Sequence, residues 1–83
     1  MEISIIIPTY NEADNIGNVL KYLRENSSEE NIREIIVSDG ISDDNTLEIA
    51  RSLGARIVNF AHTGRAKQMN AGAKIATGDV FYF

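Results

Sequence analysis

Four polar stretches of this 83-residue sequence hold side chains able to bind or transform a ligand. The first is Pro8-Thr9-Tyr10-Asn11-Glu12. The second is Asp39, and the third is the nearby pair Asp43 and Asp44. The fourth spans residues 61–76 and holds His62, Arg65, Lys67 and Lys74 without an acid, in a chain of net charge −4. A carboxylate such as Asp39 accepts hydrogen bonds from a nucleobase N–H or a ribose hydroxyl. Arg65 and Lys67 fall where a helix should begin. Cations there oppose the helix dipole, and they make better sense beside an anion such as a diphosphate. Every stretch also has a plainer use. Residues 8–12 can be a strand stop and helix cap, Asp39 a turn residue, and Asp43 or Asp44 a cap. The basic stretch can be a solvated helix face, and His62 a surface residue.

The composition removes several chemistries. With no cysteine and one histidine, neither a thiolate zinc site nor a Cys/His nucleophile pair can be built. P-T-Y-N-E stands where a dinucleotide fold needs G-x-G-x-x-G, and there is no G-x-x-x-x-G-K-[ST]. The acidic balance argues against nucleic acid as a partner. No apolar run approaches a membrane span, and the N-terminus lacks the pattern of a signal peptide. The expectation is a cytoplasmic protein, or a membrane-peripheral one in a longer form.

The polar stretches need a frame, and the apolar pattern supplies it. Residues 3–7, I-S-I-I-I, form a nearly continuous apolar run, as in a strand buried on both faces at the centre of a parallel sheet. Pro8 ends it. Ile16, Val19, Leu20 and Leu23 share one helical face over residues 12–25, with Asn11 as its cap. Ile35-Ile36-Val37 is a second buried strand, leading to Asp39. Ser42 or Asp43 caps a helix over 45–53 with Leu47, Ala50 and Leu53 on its apolar face, and Gly54 follows its end. Residues 56–60 read as a strand nearer the sheet edge. A small-residue helix over 65–76 is stopped by Gly78, and residues 79–83 begin a fourth strand. This β-α-β-α-β-α-β pattern predicts an α/β fold, a three-layer Rossmann-like parallel sheet of four strands. The expected order is 3-2-1-4, with helices on both faces. Asp39 and residues 8–12 then lie at the carboxyl ends of strands, where open α/β sheets bind ligands.

Three segments in order resemble the N-terminal part of a family 2 glycosyltransferase of the GT-A fold. They are I-S-I-I-I-P-T-Y-N-E, E-I-I-V-S-D-G-I-S-D-D-N-T, and G-R-A-K-Q-M-N-A-G-A followed by A-T-G-D. The resemblance covers essentially the whole sequence. It implies that Pro8, Thr9 and Glu12 line a nucleotide site, that Asp39 bonds the base, and that Asp44 is the acid of the helix start. It further implies that Arg65 and Lys67 flank the diphosphate, supported by Asn70 and Gly72. Gly40 and Ile41 depart from the frequent Asp and Gly of the family, so base contacts can differ. The family's D-x-D motif holds Mg²⁺ or Mn²⁺ and follows the fourth strand, so its ligands, like the catalytic base, fall beyond Phe83. No catalytic residue and no metal ligand is therefore assigned within residues 1–83.

The implied activity is transfer of a sugar from a nucleoside diphosphate, a UDP-sugar first, to an acceptor. The chain by itself is expected to bind nucleotide without turning it over. Its uncapped apolar end, Val80-Phe81-Tyr82-Phe83, reads as the front part of a longer fold and as an edge for self-association. The competing expectation is a non-catalytic nucleotide-binding or interaction module complete at this length. A nucleotidyltransferase fits less well, because residues 8–12 lack a glycine- and Arg/Lys-rich loop.

Overall fold

A computed structural model describes residues 2–26, 31–59 and 64–83 of the chain. Residues 27–30, the expected strand end at Phe60, and residues 61–63, with His62, lie outside the described residues. The elements are β1 (Ile3–Thr9), α1 (Ala13–Asn26), β2 (Ile32–Asp39), α2 (Thr46–Ser52), β3 (Arg56–Asn59), α3 (Arg65–Ile75) and β4 (Asp79–Tyr82). All strand pairs are parallel, in the order β3-β2-β1-β4.

The sheet order follows from burial. β1 is apolar on both faces and sits between β2 and β4. Ile5, Ile7, Ile35 and Val37 point to one face and pack with Ile16, Leu20 and Leu23 of α1 and Ala50 of α2. Ile6 and Ile36 point to the other face, under α3. The chain winds from β1 through β2 to β3 in one direction and returns past β1 to β4. With right-handed crossovers this reversal puts α3 on the opposite face from α1 and α2. α3 comes close because of Gly72. A methyl group there would sit 2.6 Å from Ile6 Cγ2.

Gly78 has a different job from the one its position suggests. α3 ends at Ile75 with Ala76 as its C-cap, and Gly78 passes against the backbone of Glu2. A Cβ on Gly78 would lie 2.7 Å from the Glu2 carbonyl oxygen. Gly54 does follow the end of α2, with φ 85°, as expected for a left-handed C′ residue.

The amino ends of the strands are joined by a polar socket around Glu34. Its Oε2 accepts bonds from Ser4 Oγ at 2.7 Å, Thr77 N at 2.7 Å and Thr77 Oγ1 at 2.8 Å. Its Oε1 accepts from Arg56 Nη1 at 3.1 Å. This one carboxylate therefore ties β1, β2, β3 and the entry to β4.

Candidate functional site

At the opposite edge, three strand ends stand in register, Thr9 beside Asp39 and Asp39 beside Asn59. The direction of winding reverses between β1 and β4, so the crevice at their carboxyl ends is the sheet's topological switch point. Pro8, Thr9 and Glu12 line a small cavity there of about 160 Å³, together with Ile7, Ile16 and Phe83.

The loops after β1 and β2 are locked together by hydrogen bonds between residues distant in sequence. Thr9 Oγ1 donates to Asp39 Oδ1 at 2.7 Å, and Ser42 Oγ donates to the same oxygen at 2.5 Å. Ser42 N donates to Asp39 Oδ2 at 2.7 Å. Asn11 N donates to Ser42 Oγ at 2.8 Å, and Asp43 N donates back to Asn11 Oδ1 at 2.8 Å. Gly40 N reaches Thr9 O at 2.9 Å. The start of α1 is capped from across this seam. Glu12 N donates to Thr46 Oγ1 at 2.9 Å and Ala13 N to Asp44 Oδ2 at 3.1 Å. These side chains satisfy helix N–H groups that have no partner within the helix.

Two expected caps are thereby corrected. Asn11 adopts φ 51° and gives its side chain to Asp43 N instead of capping α1. The N-cap of α2 is Asn45, which makes no side-chain cap bond, so neither Ser42 nor Asp43 fills that role. Asp44 is bonded to Thr46, accepting both its hydroxyl and its N–H. The Thr46 hydroxyl chiefly holds the Asp44 carboxyl below its usual range, against some desolvation, and the backbone N–H groups of Thr46 and Ala13 add to the effect. Asp39 has no exposed surface. Its two oxygens accept three bonds from Thr9 and Ser42.

The basic residues do not share one site. Arg65 Nη2 donates to Phe83 O at 3.0 Å, tying the start of α3 to the end of β4. Lys67 lines a separate groove of about 410 Å³ with Asn70, Ala71, Lys74 and Ile75. Sequence reasoning missed Gln68, which is 4% exposed. Its Nε2 donates to Thr9 O at 2.6 Å and Ser38 O at 2.9 Å, and its Oε1 accepts from Gly64 N at 3.2 Å. One side chain thus pins the ends of β1 and β2 to the start of α3. The available signal was spacing. Gln68 lies four residues before the buried Gly72, on the same helical stripe, among small residues.

Among the described residues, no group of three or more His, Cys, Asp or Glu is placed to hold a metal ion. Asp39 and Asp44 are already engaged by protein donors. Asp39 is buried against neutral donors, and Asp44 accepts from Thr46 and Ala13. No described helix is long and apolar enough to cross a membrane.

Comparison with known proteins gives this geometry a context. A sequence model for glycosyl transferase family 2 matches residues 4–83. The chain is 34% identical over 88 residues to 4,4'-diaponeurosporenoate glycosyltransferase of Staphylococcus haemolyticus, covering 98% of this chain and 23% of that protein. It is 35% identical over 86 residues to dolichol-phosphate mannosyltransferase of Pyrococcus furiosus, covering 98% of this chain and 24% of that protein. The chain thus spans less than a quarter of either relative's length. Among solved structures it is similar to glucosyl-3-phosphoglycerate synthase from Mycobacterium tuberculosis in complex with Mn²⁺, UDP and glucosyl-3-phosphoglycerate. The TM-score is 0.84 at 25% identity, over 99% of this chain and 32% of that one. It is also similar to residues 1–349 of TarS from S. aureus, with a TM-score of 0.86 at 28% identity, over 100% of this chain and 27% of that one.

Proposed function

This chain belongs to glycosyl transferase family 2, and we propose that it forms the nucleotide-binding part of an enzyme that transfers a sugar from a nucleoside diphosphate to an acceptor. The observation that carries this reading is the seam between the β1 and β2 loops, at the carboxyl ends of a parallel sheet and beside its switch point. A Mn²⁺- and UDP-bound neighbour that matches nearly the whole chain supports a UDP-sugar as the first donor to test.

In this reading Pro8, Thr9 and Glu12 face the donor, and Asp39 and Asp44 act as positioning residues that hold the two loops in one shape. Arg65 and Lys67 start the helix nearest the phosphates. Arg65 also fixes the end of β4. A divalent cation would neutralise charge on the leaving diphosphate. No group of acids among the described residues is placed to hold that ion, and the chain by itself is proposed to bind the donor without cleaving it.

Titration of the isotope-labelled chain with UDP and GDP tests the reading. Amide shifts should concentrate at Thr9, Glu12, Ser42 and Asn59. Shifts confined to the Glu34 and Thr77 end of the sheet would sink it. The isolated chain should also self-associate through β4. This edge strand exposes Val80, Phe81 and Tyr82, with Phe83 just beyond it, and an uncovered apolar edge of this kind invites strand pairing. Sedimentation across a concentration series reads this out, and a monomer at every concentration would exclude it.

A further inference from the structure

Ile41 has an unusual backbone and an unusual exposure. Its φ is 59°, in the left-handed region that a β-branched residue enters only under strain. Its side chain is 54% exposed, so burial within the described chain does not offset that strain. The cause of the conformation is local. Asp39 draws in both the N–H and the hydroxyl of Ser42, while Gly40 N is held by Thr9 O. The tight turn between them has no room on its inner side, where a Cβ on Gly40 would already lie 3.3 Å from Gln68. The next side chain is driven outward. It lands on the rim of a pocket of about 440 Å³, lined by Ile41, Ser42, Leu47 and Asn59. That volume is in the range of small-molecule sites.

The lining suits one part of a nucleoside diphosphate better than the others. Ile41 and Leu47 offer apolar surface, which a flat ring can cover and a sugar ringed by hydroxyls cannot without leaving polar groups unpaired. Asn59, at the end of β3, carries both a donor and an acceptor on one amide, the pattern that reads a base edge. We infer that Ile41 is a specificity-determining residue, the apolar wall on which the base of the nucleoside diphosphate packs, with the base edge toward Asn59. This inference rests on the proposed nucleotide-binding function. Asp39 then contributes to base recognition indirectly, by holding the turn that presents Ile41.

Ile41→Gly and Ile41→Val separate the possibilities, with affinities for UDP and GDP measured by calorimetry and the loop seam followed by the amide signals of Thr9, Ser42 and Thr46. Glycine removes the wall and accepts the positive φ, so Ile41→Gly should melt no lower than wild type. It should weaken binding of the preferred nucleotide on the order of tenfold, bring the UDP and GDP affinities together, and leave the seam signals in place. Ile41→Val should stay within about threefold of wild type, since it lacks one methyl group. Unchanged nucleotide affinity and an unchanged UDP-to-GDP ratio in Ile41→Gly would overturn the inference and leave the proposed function standing. Loss of affinity together with displaced seam signals would also overturn it, because the turn rather than the side chain would then be the cause. A wild-type chain that binds neither nucleotide would overturn both readings.

Discussion

Glu34→Gln should lose the part of the acid-range pH dependence that Glu34 contributes between about pH 4.5 and pH 2, leaving that of Asp44, and at neutral pH it should be less stable by roughly 3 kcal/mol at most. Burial alone would raise the Glu34 carboxyl above its ordinary 4.5, but hydrogen bonds from Ser4, the Thr77 N–H and hydroxyl, and Arg56 outweigh it and hold the group at about 2. A carboxylate whose folded value is depressed favours the folded state above its unfolded value. That contribution fades as pH falls toward the folded value. A shift of this size corresponds to roughly 3 kcal/mol. The Arg56 pair supplies little of it. Arg56 is 51% exposed against 13% for Glu34, and half-exposed ion pairs contribute about 1 kcal/mol or less. The greater part comes from three donors converging on one oxygen of a nearly buried carboxylate. Urea midpoints at pH 7, 4.5 and 2.5 check this. The gap between wild type and Glu34→Gln should be widest at pH 7 and close as the pH falls. A gap that stays constant would mean that the charge of Glu34 does not matter to folding.

The sheet could be read from the sequence because its signal is local. Residues 3–7 are apolar on both faces, which only a central strand tolerates, and Ile16, Val19, Leu20 and Leu23 repeat at a helical period. Strand order followed from those two facts and crossover handedness. The polar details were not legible for the opposite reason. Asn11 and Ser42 look like caps for the helices that follow them, yet Ser42 Oγ accepts from Asn11 N, 31 residues away, and Asn11 Oδ1 from Asp43 N, 32 residues away, across the seam. Gln68 bonds a carbonyl 59 residues distant. Gly78 resembles a helix stop, but the backbone of Glu2 is what excludes a side chain there. Sequence spacing reports on neighbours within a turn or two. It carries no direct trace of a hydrogen bond between loops brought together by the sheet. The chemistry of the candidate site was legible as residue types, and its wiring was not.

That wiring makes Asp39 the residue whose loss should be felt most at the functional edge. Asp39→Ala should destabilise the chain by about 3 kcal/mol, while Asp39→Asn should cost clearly less. The carboxylate is fully buried and accepts from Thr9 Oγ1, Ser42 Oγ and Ser42 N. Alanine leaves the Ser42 N–H and two hydroxyls without an acceptor in a closed space, and each orphaned donor costs about 1–3 kcal/mol less whatever water can enter to restore. Asparagine keeps the size of the side chain and one oxygen, so it can still hold the Ser42 N–H while the hydroxyls turn to accept from its amide. The damage should extend beyond Asp39. Ser42 Oγ also accepts the Asn11 N–H, so freeing Ser42 loosens the first loop as well as the second. Hydrogen exchange at Asn11, Gly40 and Asp43 should therefore quicken in Asp39→Ala, while exchange at Ile5 and Ile36 in the core strands changes only by the global loss of stability. Equal destabilisation by Ala and Asn, or fast exchange spread evenly through the sheet, would mean that Asp39 is a packing residue of the core and not the latch between the loops. If the latch holds as described, nucleotide affinity and loop exchange should move together across Asp39→Asn and Asp39→Ala, because the same turn that Asp39 closes carries Ile41 to the rim of the pocket.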